Sequence, residues 1–295
     1  MFLEESAPAK INLYLHVTGR RADGYHDLDS LSSFVSIADH LRLEPDAPFS
    51  FVVEGPQAPA LAHEDPQNNL VVRAALALAA LTGNSLRGSL TLIKNLPVAS
   101  GIGGGSSDAA AVLRLLGRFW GLDPDDPRLA QAAAAQGQDV LLCLKISSVY
   151  LTATGTLPGP SLPSASVLLV NPRKPLATPS VYQECRRGTD PFSPLARLVA
   201  PPATLDILVE ALKQRTNDLY APACRLMSQI PELVAAIAAT PHCLLSRMSG
   251  SGATCFGLYR NLQEAQEAAT RLRSTHPDWW IEAGEMIGAE SFRSF

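Results

Sequence analysis

Between Pro97 and Ala111 the chain reads Pro-Val-Ala-Ser-Gly-Ile-Gly-Gly-Gly-Ser-Ser-Asp-Ala-Ala-Ala, a glycine- and serine-rich run that leads into an apolar helix. Glycine lets the backbone approach a ligand closely and take positive φ, so successive N–H groups can converge on one anion. The helix behind them adds unpaired N–H groups and the positive end of its dipole. Together they suit a polyphosphate. The plainer alternative is a glycine-rich turn capped by Ser107 or Asp108, against which the run of small residues favours phosphate. Commoner nucleotide loops do not fit. None of the five lysines follows a glycine, as a Walker loop requires. A dinucleotide fingerprint begun at Gly101 meets Ser106 where a third glycine or alanine belongs. The triplets His-Arg-Asp and Asp-Phe-Gly of protein kinases are absent.

Smaller constellations accompany this loop. In Pro8–Leu13, Lys10 and Asn12 share one face of a strand, opposite Ile11 and Leu13; that face either meets solvent or works. Gly24-Tyr25-His26 places two rings in a turn, where they either stack on and hydrogen-bond a base or cap the loop. Asp139 is the sole charge between Arg128 and Lys145. It is either a helix N-cap or a functional acid, and if buried it needs a partner such as a lysine. Ser246–Ala253 is a second glycine-serine turn between two strands, which is either an ordinary hairpin or a cover for phosphates.

These groups need a scaffold. Alternation predicts strands over 9–17, 28–37 and 89–93, and apolar spacing predicts helices over 69–81, 109–120 and 126–135. Thr154–Pro163 reads as a linker or domain edge and Pro191–Pro202 as an irregular surface crossing. Beyond them, strands are expected over 167–170, 243–248, 253–259 and 280–283, and helices over 218–227, 231–239 and 263–273. This mixed order points to an α+β protein in two lobes. At 295 residues, with 46% apolar and 18% charged residues, the chain can bury substantial cores. A net charge of −4 without a basic tract argues against nucleic acid. The acidic start at Glu4 and Glu5 is unlike a signal peptide, and no apolar run approaches the roughly 20 residues of a membrane span. No membrane association and a cytoplasmic location are therefore expected. Five cysteines, an odd number without a Cys-x-x-Cys pair, argue against a disulfide framework or zinc site. A monomer is expected, since nothing marks an interface.

In this order, Pro8–Leu13, Pro97–Ala111 and Met248–Ala253 resemble the three motifs of the GHMP kinase superfamily of small-molecule kinases. Arg20–His26, Asn69–Ala75 and Asn217–Leu219 narrow the likeness to the branch that acts on a cytidine diphosphate-linked methylerythritol, in the non-mevalonate route to isoprenoids. The resemblance implies a ribosomal-S5-like N-terminal lobe over 1–154 and a ferredoxin-like C-terminal lobe over 155–295. It implies transfer of the ATP γ-phosphate to the substrate 2-hydroxyl. By motif position Asp139 is the catalytic carboxylate and Lys10 its cationic partner, while Asn12 holds substrate hydroxyls. Tyr25 stacks on cytosine, His26 hydrogen-bonds it, and Thr178–Tyr182 supplies a second aromatic wall through Tyr182. Pro97, Gly101, Gly103, Gly104, Gly105, Ser106 and Ser107 contact ATP, and Mg²⁺ accompanies it with Ser106 or Ser107 as a ligand. Phosphoryl transfer has a loose transition state, so positioning and charge stabilisation outweigh base strength.

Two departures flank the site. Gln138 and Leu141 replace the alanine and proline of the usual Gly-Ala-Asp-Val-Pro, and Ala153–Leu157 lacks the glutamate of Gly-x-Gly-Glu. They bear on turnover and local backbone, and they keep open a catalytically weak nucleotide-binding relative. A superfamily kinase for another alcohol, such as homoserine or mevalonate, is the other alternative. Neither of those substrates has a base for Tyr25, His26 and Tyr182 to grip.

Overall fold

Alternation underestimates the first strand. In the computed structural model β1 runs Leu3–Arg20, and its residues Ala7–Val17 are all buried. Both of its faces are covered, so Lys10 and Asn12 do not meet solvent: they are 6% and 2% exposed. The structure describes residues 2–22, 24–45, 48–185 and 191–288; Asp23, within the Arg20–His26 motif, lies outside them. Strand β2 (His26–Glu44) pairs with β1, and both strands run through the two compact units into which the chain divides.

The first unit holds the described residues up to Ala9, with Ala38–Val98 and Gly103–Lys145. Here β3 (Ser50–Glu54) and α1 (Leu70–Thr82) precede β4 (Ser89–Ile93), which pairs parallel with β3 and antiparallel with the second half of β2. The helix supplies the crossover that parallel neighbours need. Its start is set by Asn69, whose side chain accepts the Val71 N–H at 2.9 Å, and its end by Gly83 at φ 71°. Helices α2 (Gly104–Phe119) and α3 (Pro127–Gln136) pack on α1, and the short α4 (Gln138–Cys143) packs on α2 and α3. The predicted helices of this unit are all present.

The second unit holds Lys10–Ile37, Ala99–Ile102 and the described residues from Ile146 onward. The first half of β2 pairs antiparallel with β5 (Val149–Thr152), which pairs with β6 (Gly155–Pro158). The expected linker at 154–163 thus contains a strand. Its side chains are half-buried or exposed, so pairing with β5, not an apolar pattern, holds it, and composition could not show that. The other sheet is antiparallel throughout. It contains β7 (Ser166–Asn171), β8 (Leu245–Met248), β9 (Cys255–Tyr259) and β10 (Trp280–Glu285), in the order β10-β7-β9-β8. Helices α5 (Thr178–Cys185), α6 (Leu205–Lys213), α7 (Tyr220–Leu226), α8 (Ile230–Ala238) and α9 (Leu262–Thr275) complete the unit. Leu168 and Val170 of β7 meet Leu233 of α8 and Leu272 of α9 in its core. Residues 191–202 carry neither helix nor strand, as their prolines predict. Helix α6 was not expected, although Thr204 caps it and Leu205, Leu208, Val209 and Leu212 give it a buried stripe.

Candidate active site

In the first unit the glycine run becomes the head of a helix. Gly103 sits at φ 66°, a left-handed conformation that costs an L-residue with a side chain roughly 1–2 kcal/mol, and α2 begins directly after it. The N–H groups of Gly104, Gly105 and Ser106 fall in the first turn, where no preceding carbonyl within the helix reaches them. The first bond of the ladder is Ser107 N–H to Gly103 O, at 2.8 Å. The two serines differ. Ser107 is fully buried and its hydroxyl donates to the Pro8 carbonyl at 2.8 Å, whereas Ser106 is half-buried. Asp108 does not cap the helix; it is buried and faces Lys94 at 2.7 Å. Pro97 lies in the loop before Gly103 and is buried.

Asp139 occupies the first turn of α4 and is exposed, with Gly137 at the N-cap position. The capping reading therefore falls away. The helix that carries Asp139 is held by Arg114 of α2. Its guanidinium donates to the Cys143 carbonyl at 3.0 Å and the Ser6 carbonyl at 2.8 Å, and pairs with Glu5 at 2.8 Å.

The second unit contains the other expected residues. Asn12 donates from its carboxamide to Ser30 Oγ at 2.8 Å and Ser32 Oγ at 3.1 Å, while its own N–H donates to Ser249 Oγ at 3.1 Å. The Lys10 N–H donates to the Ile102 carbonyl at 2.9 Å, so the two neighbours on β1 are tied to the loop at 99–102 and to the turn after β8. That turn and the loop touch closely. A Cβ on Gly101, at φ 77°, would lie 2.6 Å from the Gly252 carbonyl oxygen, so only glycine fits here without a backbone shift. Asn217 fixes the same turn by donating to the Met248 and Gly250 carbonyls at 2.8 Å each. The Thr178 and Ser251 hydroxyls are 2.8 Å apart. His26 and Tyr182 stack, with ring centroids 5.3 Å apart and planes at 29°, while Tyr25 is 71% exposed in the adjoining turn. A cavity of about 660 Å³ opens at His26, lined also by Arg20, Phe192, Asp218 and Tyr220.

Ser30, Ser32 and Asn217 were missed as site residues. The alternation of Ser30 and Ser32 on one face of β2 was a signal for the first two. The role of Asn217 needed the fold, because its partners lie over thirty positions away. Among the described residues no group of three or more His, Cys, Asp or Glu could hold a metal ion, and none of the helices is long and apolar enough to cross a membrane.

A mixed α and β chain with a glycine-headed helix and a second glycine turn is in keeping with the resemblance to GHMP-type small-molecule kinases. The family models agree: GHMP kinases N terminal domain matches residues 69–145, and GHMP kinases C terminal matches 205–278. Sequence relatives narrow the assignment. A 4-diphosphocytidyl-2-C-methyl-D-erythritol kinase of Rhodospirillum rubrum is 47% identical, over 96% of this chain and 92% of that protein. One of Paramagnetospirillum magneticum is 46% identical, over 95% and 97%. A crystal structure of 4-(cytidine 5'-diphospho)-2C-methyl-D-erythritol kinase superposes with a TM-score of 0.76 at 31% identity, covering 97% of this chain and 99% of its own. A Leishmania major mevalonate kinase shares the fold, with a TM-score of 0.71 at 14% identity and coverage of 97% and 96%. The chain belongs to the 4-diphosphocytidyl-2-C-methyl-D-erythritol kinase family, and the expected two-lobed α+β GHMP kinase fold is borne out.

Proposed function

We propose that this chain transfers the γ-phosphate of ATP to the 2-hydroxyl of 4-diphosphocytidyl-2-C-methyl-D-erythritol. The observation that carries the reading is the likeness, along 95–96% of the chain, to proteins of that name. The His26–Tyr182 stack beside a cavity of about 660 Å³ supports a substrate with a base, because cavities of roughly 300–1,000 Å³ suit small ligands. It speaks against homoserine or mevalonate as the acceptor. Asp139 takes the proton of the attacking hydroxyl, and Lys10 offsets negative charge on the transferring group. Asn12, whose two amide N–H bonds go to Ser30 and Ser32, presents its amide oxygen to a substrate hydroxyl. Tyr25, His26 and Tyr182 hold cytosine, with Thr178 at the edge of that site. Pro97, Gly101, Gly103, Gly104, Gly105, Ser106 and Ser107 form the ATP loop.

Mg²⁺ bound with ATP would supply positive charge to its phosphates. Ser106 fits as a protein ligand better than Ser107, whose buried hydroxyl is already donated to Pro8. Lobe boundaries at 1–154 and 155–295 are consistent with family models that end at 145 and begin at 205. A cytoplasmic monomer is part of the same reading. ADP release from MgATP and the cytidine substrate tests it, on wild type and Asp139→Asn. Wild type should turn over, and the variant should fall by roughly 10²–10⁴-fold. A wild type that binds ATP and releases no ADP sinks the substrate assignment.

A further inference from the structure

Beneath the head of α2 lie three charges to which phosphate binding gives no direct part. Lys94, just past β4, places its Nζ 2.5 Å from Asp39 Oδ2 on β2 and 2.7 Å from Asp108 Oδ2 on α2. All three side chains are at most 3% exposed. The other oxygen of Asp39 accepts the N–H groups of Asn95 at 2.5 Å and Leu96 at 2.8 Å, which fixes the two residues before Pro97. The ammonium also lies directly under the loop: a Cβ on Gly104 would be 3.2 Å from Lys94 Nζ. One cation therefore joins the strand end that enters the loop to the helix that leaves it.

Buried ions are a poor device for stability alone. Each costs several kcal/mol to desolvate, and well-packed apolar side chains often hold a fold as well. Ions add direction, because Nζ must meet both carboxylates at hydrogen-bond distance. The arrangement is also short of one cation. Asp108 Oδ1 is buried with no hydrogen-bond partner, and burial pushes the Asp108 carboxyl up, against the opposing pull of Lys94.

We propose that Lys94, clamped between Asp39 and Asp108, is a positioning residue for the phosphate loop, aiming the N–H groups of Gly104–Ser106 before nucleotide arrives. The proposal rests on the reading that this loop binds ATP. Asp108→Leu removes the helix end of the clamp and leaves Lys94 paired with Asp39, whereas Asp108→Asn keeps an oxygen for Lys94. MgATP binding is measured by calorimetry on both variants and wild type, alongside steady-state KM for ATP and for the cytidine substrate. Asp108→Leu is expected to weaken MgATP at least tenfold with the KM of the cytidine substrate unchanged, and Asp108→Asn to stay within threefold of wild type. Asp108→Ala gives the same reading if the leucine variant does not fold. Wild-type ATP affinity in the Leu or Ala variant overturns the proposal. So does a loss shared equally by both substrates, or failure of both variants to fold, either of which assigns the clamp to the fold alone. A wild type that binds no MgATP overturns the ATP reading of the loop, and the clamp with it.

Discussion

His26 and Tyr182 lie on a strand and a helix distant in sequence, yet their rings stack at 5.3 Å. Tyr25 is 71% exposed beside them. Stacking of a base on an aromatic ring is worth about 1–3 kcal/mol, which corresponds to roughly a five- to 150-fold change in affinity. Tyr25→Ala should therefore raise KM for the cytidine substrate within that range and leave kcat within twofold, as read by steady-state kinetics. An unchanged KM would remove Tyr25 from the cytosine site. Residue type and spacing make Lys10, Asn12 and Asp139 candidates, and the resemblance supplies their expected roles, but neither shows their surroundings. Asn12 is buried because Ser30, Ser32 and Ser249 close around it, and Ser249 lies 237 positions away. Asp139 is exposed although apolar residues flank it, because those neighbours face the packed side of a helix of only six residues.

Elements were most legible where the signal is local. Helix α1 is the clearest case: apolar spacing, Asn69 and Gly83 are all visible within fifteen residues, and the structure moves the expected 69–81 by one residue at each end, which makes Asn69 the cap. Because Asn69 accepts the Val71 N–H at 2.9 Å, Asn69→Ala should cost about 1 kcal/mol in urea unfolding. Asn69→Asp, which keeps an accepting oxygen, should lose only a few tenths. An alanine variant as stable as wild type would mean the cap bond contributes nothing. Strands were less legible because their reasons are distant. β1 runs past its alternation at both ends into residues that are largely half-buried or exposed, and β6 forms from backbone pairing between Thr152 and Gly155 and beyond, in a segment whose composition reads as linker. Helix α6 is legible in principle from Thr204 and the Leu205–Leu212 stripe, although no element was expected there.

At the scale of the whole molecule, β1 and β2 belong to both units, so unpairing them in one unit removes strands from the other. The five cysteines, none of them in a disulfide, offer reporters for this. Cys143 is fully buried in the first unit and Cys255 in the second. Burial also pushes the Cys255 thiol well up, so little thiolate is present at neutral pH even before access is considered. Cys224 and Cys243 are half-buried and their thiols are likewise raised by burial. Alkylation with iodoacetamide, mapped by mass spectrometry across a urea series, should find Cys143 and Cys255 unlabelled in the native protein. Both should then become labelled over the same range of urea, since the two units share their longest strands. Labelling of Cys143 while Cys255 stays protected, or the reverse, would show that the shared strands do not couple the units and that each melts by itself.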